Sequence, residues 1–102
     1  MIYVIATLEL EPGTRSAFLA EFAKIVPLVR AEAGCVEYAP AVDAETTLPA
    51  QHRIGSDRVM VIEQWENVEA LAAHDVAPHM QTYRTRVKGY VRGREIRMLA
   101  PA

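Results

Sequence analysis

The segment Ile2-Tyr3-Val4-Ile5-Ala6-Thr7-Leu8-Glu9-Leu10 places Ile2, Val4, Ala6, Leu8 and Leu10 on one side of an extended chain and Tyr3, Ile5, Thr7 and Glu9 on the other. Period-two spacing in an apolar, β-branched run predicts a strand. Both sides carry apolar residues, since Val4 and Ile5 are neighbours, and Met60 and Val61 repeat the arrangement within Val59-Met60-Val61-Ile62. A sheet made of such strands has two hydrophobic faces, and each needs cover.

Outward from this segment, Pro12-Gly13 breaks the strand, and Thr14 or Ser16 is placed to cap a helix. Phe18, Phe22, Ile25, Val26, Val29 and Ala33 fall on one helical stripe, which predicts a helix over about 14–33 with a kink at Pro27 and an end at Gly34. Residues 35–43 read as a second strand, in which Pro40 marks an edge position or a bulge. Residues 44–57 are polar and aperiodic, a long loop, and 58–66 form a third strand. Asn67 caps a short helix from Val68 to about Ala73, and Ala77-Pro78 restarts a second helical segment carrying Met80, Tyr83 and Val87. Gly89 or Gly93 ends it, and 95–99 supply a fourth strand with Ile96 and Met98 on one side.

The order β-α-β-β-α-β is the ferredoxin-like plan, an α+β fold with an antiparallel four-stranded sheet. Helices reach only one face of such a sheet. A second copy packed on the other face, giving a two-fold dimer with a barrel-like β core, is the economical way to bury the rest.

With 102 residues there is room for one domain, 1–102, and none for separate catalytic and cofactor domains. Eleven Lys and Arg against 13 Asp and Glu give a net charge of −2, so no basic stripe for nucleic acid is expected. A hydrophobic fraction of 51% with 24% charged residues belongs to a folded domain. No run is long and apolar enough for a membrane span, Met1–Ala6 lacks the pattern of a signal peptide, and the one cysteine, Cys35, has no partner for a disulfide. A cytoplasmic protein is expected.

Glu63 and Trp65, two apart on a strand, point to the same face. Trp65 suits an aromatic wall and N–H donor for a flat substrate, or simply the core; Glu63 suits a base, or a partner for a nearby cation. His74 and His79 flank the helix break, and an imidazole there can remove a phenolic proton or hydrogen-bond a helix end. Their spacing does not suit two metal ligands on one helix, and no metal is expected. Tyr38, Tyr83 and Tyr90 offer phenol donors or core rings. Cys35 reads as a small buried side chain and His52 as solvated. Arg84, Arg86, Lys88, Arg92, Arg94 and Arg97 form a basic cluster, a solvated face of which a subset can attract an anion.

Pro12-Gly13 with Phe18 and Phe22, Ala31-Glu32-Ala33-Gly34-Cys35 followed by Tyr38, Glu63-Gln64-Trp65-Glu66, and Ala70-Leu71-Ala72-Ala73-His74 with Pro78-His79 occur in an order that resembles the antibiotic biosynthesis monooxygenase family of dimeric α+β barrels. The resemblance covers almost the whole chain. It implies a cofactor-independent monooxygenase that oxidises an electron-rich aromatic, a quinol or polyketide-like phenol, with O₂ in a homodimer. His74 and Glu63 are then the catalytic candidates, and Trp65, Tyr83, His79, Tyr38 and Thr7 the binding ones. Heme-degrading relatives pair an asparagine on strand one with a tryptophan and a histidine; Trp65 and His74 correspond, but strand one offers Thr7 instead. Some polyketide oxygenases carry an asparagine four residues before the tryptophan, where this chain has Val61. A small-metabolite isomerase or degradative enzyme, and a non-catalytic ligand-binding or stress-response barrel, are the alternatives.

Overall fold

The computed structural model describes all 102 residues. Four strands, β1 (Ile2–Leu10), β2 (Cys35–Ala41), β3 (Arg58–Trp65) and β4 (Val91–Leu99), alternate with three helices, α1 (Arg15–Arg30), α2 (Val68–Asp75) and α3 (Pro78–Val87). The sheet is antiparallel, in the order β2-β3-β1-β4. This is the expected ferredoxin-like α+β plan, with its second helical region divided in two.

Register assigns the two faces of the sheet. Val4 lies opposite Glu63, Ala6 opposite Val61 and Leu8 opposite Val59, so these residues share the helix side, where all six are buried. Against them α1 lays Phe18, Phe22, Ile25 and Val29. Phe22 stacks on Tyr38 with ring centres 5.4 Å apart and meets Tyr83 edge-on at 5.8 Å, which joins α1, β2 and α3 through one aromatic group. On the other side of the sheet Tyr3, Ile5, Thr7 and Met60 are half-buried and Ile62 is exposed. No helix covers that face.

The helix-side cover is itself uneven. Helix α1 runs along β2 and packs on α3, and α2 meets β3, while no helix packs extensively on β4. Ile96 and Met98 pair with Ala6 and Val4 and so share the helix side, yet they are 49% and 63% exposed. A recess remains between β4, β1 and the last two helices.

Several boundaries depart from expectation. Helix α1 continues through Pro27 but stops at Arg30, because Ala31–Cys35 fold into a tight turn in which Glu32 N–H donates to Val29 and Cys35 N–H to Glu32. Thr14 takes the N-cap position, but its side chain accepts from no helix amide; its hydroxyl donates back to the Glu11 carbonyl at 2.7 Å. Strand β2 ends at Ala41 instead of 43 because the Asp43 carboxylate accepts from the Ile54 and Gly55 amides at 2.8 and 2.9 Å, holding the long loop together and drawing the chain off the sheet. These two bonds hold the Asp43 carboxyl below the usual range. Pro40 lies on the edge strand as expected, and the irregularity in β2 falls earlier, between Cys35 and Glu37. Strand β4 begins at Val91, four residues early, since Gly93 opposite Glu9 is accepted beside a register shift at Glu9/Leu10.

Gly34 is where the backbone permits no other residue. Its φ is +81°, and a Cβ there would stand 2.5 Å from the Ala70 Cβ of α2. Its carbonyl also accepts from the Glu66 amide at 2.8 Å, pinning the turn after α1 to the β3–α2 junction. Gly34→Ala is expected to cost about 3 kcal/mol or more from backbone strain and overpacking together. Gly13→Ala, with a positive φ but open space, is expected to cost only about 1 to 2 kcal/mol. Urea unfolding of the two variants checks the difference.

Candidate active site

Strand β3 sets Glu63 and Trp65 side by side on the helix face. Trp65 is fully buried, and its indole N–H donates to Glu63 Oε1 at 2.9 Å. Asn67 then caps α2, accepting from the Ala70 amide at 2.8 Å, and the helix carries His74 in its last turn back over the indole. The imidazole centre lies 4.7 Å from Trp65 and 5.5 Å from Tyr38. The chain turns after His74, whose carbonyl accepts from the Ala77 amide, and Pro78 opens α3 in the first-turn position where a missing N–H costs nothing. His79 follows in that first turn.

Both imidazoles converge on one oxygen. Glu32 Oε2, from the turn after α1, lies 3.0 Å from His74 Nδ1 and 2.7 Å from His79 Nε2. A carboxylate only accepts, so each ring presents an N–H to it. For His74 this fixes the tautomer and leaves Nε2, which has no partner within the chain, as the ring's basic atom. The arrangement is that of a histidine base oriented by a carboxylate.

The recess beside β4 is a cavity of about 660 Å³, within the range that accepts small organic ligands. Its sheet wall is Val4, Ala6, Leu8 and Val61, and its helix wall includes Leu71, Met80 and Val87. Its polar lining comprises His74, Glu63, Tyr38 and Tyr83 together with the charged Asp75, Arg84, Lys88, Arg92 and Arg94. Burial raises the Glu63 pKa, outweighing the Trp65 hydrogen bond and the His74 charge that pull it down. Burial also pushes both tyrosine hydroxyls upward, helped at Tyr38 by Glu63 and opposed at Tyr83 by Arg84 and Arg94. Near neutral pH the two phenols are therefore neutral donors. Cys35 sits outside the cavity with its thiol pushed up by burial and then by Glu32, as a thiol and no nucleophile.

The structure thus gathers His74, Glu63, Tyr38 and Tyr83 around one space. Trp65 lies behind Glu63 and His74 and does not line the cavity, so it acts on the site through its N–H and its packing. His79 lies beyond Glu32 and does not line it either. Thr7 is misplaced in the expected set: paired with Met60 and Glu95, it points to the opposite face of the sheet, because odd-numbered residues of β1 turn away from the helices. His52 is exposed in the loop. Glu32 is the residue that sequence reasoning missed. Its signal was a carboxylate just past a helix C-terminus, where the dipole disfavours negative charge and a cationic or N–H-bearing partner is called for.

A family model described as Antibiotic biosynthesis monooxygenase matches residues 1–86, a stretch that contains every one of these site residues. The chain is 45% identical over 103 residues to YgiN of Escherichia coli (strain K12), described as a probable quinol monooxygenase, covering 99% of this chain and 98% of that one. Among solved structures, PA3566 from Pseudomonas aeruginosa superposes with a TM-score of 0.81 at 28% identity, over 99% of this chain and 93% of its own. Rv0793 from Mycobacterium tuberculosis does so with a TM-score of 0.80 at 27% identity, over 99% and 94%. Fold, match and identity agree that this chain belongs to the antibiotic biosynthesis monooxygenase family.

Proposed function

We propose that the protein is a cofactor-independent monooxygenase of an electron-rich aromatic, a quinol or polyketide-like phenol, with O₂ as co-substrate. The observation that carries this reading is His74, held at Nδ1 by Glu32 while the ring borders an apolar cavity large enough for a flat bicyclic ligand. Its Nε2 accepts the phenolic proton. The aromatic anion gives an electron to O₂, and recombination forms a carbon–oxygen bond to a peroxide anion. The ring hydrogen leaves as a proton that the peroxide takes up, the O–O bond cleaves, and the His74 proton goes to the departing hydroxide, which leaves a hydroxyquinone and one water. A quinol and O₂ balance these two products, so the substrate supplies every electron. The apolar walls keep water from the anion and strengthen the electrostatics within.

Glu63, with its raised pKa beside His74, serves as a second proton-handling group. The same pair suits an oxygen-free proton shuttle next to a carbonyl, as an isomerase uses. Turnover of naphthohydroquinones under argon at the aerobic rate would favour that second reading and overturn the first. Under the monooxygenase reading, one O₂ is consumed per quinol and label from ¹⁸O₂ enters the product. His74→Gln, which keeps a group for Glu32 to hold but no useful base, is expected to lower kcat by roughly 10²- to 10⁴-fold.

The uncovered sheet face, with Tyr3, Ile5, Met60 and Ile62, supports a homodimer joined through it, completing a barrel-like core. An obligate interface of ~2,000 Å² or more is expected. Sedimentation should show a dimer down to low micromolar concentration, and a compact monomer there would overturn the pairing. The unpaired Cys35 supports a reducing compartment, the cytoplasm. No helix is long and apolar enough to cross a membrane.

Burial of Glu63 gives a stability prediction with a definite sign. The folded state favours the protonated carboxyl, so it binds more protons than the unfolded chain, and stability from this group falls as pH rises past the ordinary glutamate range. Glu63→Gln keeps an oxygen for the Trp65 N–H without an ionisable proton. Its melting temperature relative to the parent protein is expected to be higher at pH 8 than at pH 4, read by thermal scans at both.

A further inference from the structure

Positive charge is concentrated at one end of the cavity. Lys88, Arg92 and Arg94 line it there, and Arg84 lines it beside Asp75, which with Glu63 makes two lining carboxylates in a chain whose net charge is −2. Asp75 is already engaged, accepting from Arg84 Nη2 at 2.9 Å while its carbonyl accepts from Arg84 Nη1 at 2.8 Å. Glu63 is turned to the Trp65 indole. Lys88, Arg92 and Arg94 enter none of the molecule's ion pairs. Three cations without partners therefore border an apolar cavity.

Strand β1 measures how far they stand from the reacting groups. Val4 pairs with Glu63 on one side and Met98 on the other, while Leu8 pairs with Arg94. Four residues of strand separate these levels, roughly 13 Å. At the Glu63 end the mouth is apolar, with Val68, Ile96 and Met98, and at the Arg94 end it is cationic. The charges reach inward, since Arg84 and Arg94 both oppose the rise of the Tyr83 pKa. The cations at 88, 92 and 94 also lie beyond residues 1–86, the stretch matched to the family, so the shared site residues do not account for them.

We propose that the cavity takes an aromatic ligand bearing an oxyanion, carboxylate or phosphate, on a chain that runs from a ring seated at His74 and Glu63 to Lys88, Arg92 and Arg94. The inference rests on the aromatic-substrate reading of the site and names the class of substrate. Two guanidinium groups and an ammonium supply charge-assisted hydrogen bonds, strengthened by the apolar walls beside them. The oxyanion fixes the ligand's direction, so that the hydroxylated ring enters first.

Calorimetric titration tests this with three naphthoquinones, the unreactive oxidised forms. One carries a carboxypentyl chain, the second is its methyl ester, and the third carries a pentyl phosphate. Both anionic probes are expected to bind about tenfold or more tightly than the ester at low ionic strength, a margin that shrinks as salt is added. In the Lys88→Gln/Arg92→Gln/Arg94→Gln variant the margin is expected to fall to near one. The tighter of the two anions identifies the headgroup. Equal binding of acid, phosphate and ester, no binding of any probe, or a margin that survives the triple variant overturns the proposal. Should the triple variant fail to fold, the single variants Arg92→Gln and Arg94→Gln must each narrow the margin, and an unchanged margin in both overturns it as well. Binding is measured without turnover, so a protein that keeps the anion preference but oxidises no quinol retains this subsite and loses the monooxygenase reading.

Discussion

Three helices have to shield one side of a four-stranded sheet, and their packing leaves the last strand bare. Helix α1 takes the largest share because its phenylalanines interlock with Tyr38 and Tyr83, which draws it over β2 and against α3. The cost falls on β4, where Ile96 and Met98 stay exposed on the helix side. A sheet with full cover would have a denser core and no cavity. The cavity of this fold is thus the part of the hydrophobic face that the helices do not reach, and the apolar character of its walls follows directly from that origin.

Within that space the polar groups are supported from behind. Glu32 links the exit of α1 to the end of α2 and the start of α3 through a single oxygen shared by two imidazoles. Gly34, two residues on, allows the close approach of this turn to Ala70 that puts the carboxylate within reach. A side chain at position 34 would therefore disturb packing and the orientation of His74 at once. Trp65 does the corresponding service for Glu63, holding it by one oxygen from a fully buried position. His74 and Glu63, which line the cavity, are thus each held by a partner that lies outside it.

Where the sequence was legible, local chemistry and tertiary packing agreed. The alternation in Ile2–Leu10 and Val59–Ile62, the stripe from Phe18 to Val29, the Asn67 cap and Pro78 each specified an element that the structure contains. The errors arose where a distant contact decided the outcome. Asp43 leaves the sheet because of amides eleven and twelve residues away, and β4 extends to Val91 because it has β1 to pair with. Glu63, His74, Tyr38 and Tyr83, singled out by residue type and face, line one cavity. Glu32 was not singled out, because its partners lie 42 and 47 residues away and no periodicity connects them. Thr7 failed for the opposite reason: parity along β1 already placed it on the face away from Val4, Ala6 and Leu8.

Glu63 departs furthest from what the fold alone would select. Its cross-strand neighbours are Val4 and Tyr38, and its surroundings penalise the charge, so a glutamine able to accept the same indole N–H would serve folding better. A local rule broken in the core without a gain in stability marks a position held for another purpose. The second such position stands 11 residues on, where His74 is only 6% exposed yet keeps a ring nitrogen free of any partner in the chain. Two ionisable groups, each steadied by a neighbour, share the wall of one apolar cavity. Packing gives no reason for that coincidence, which is the ground on which the cavity is proposed as a place of proton transfer.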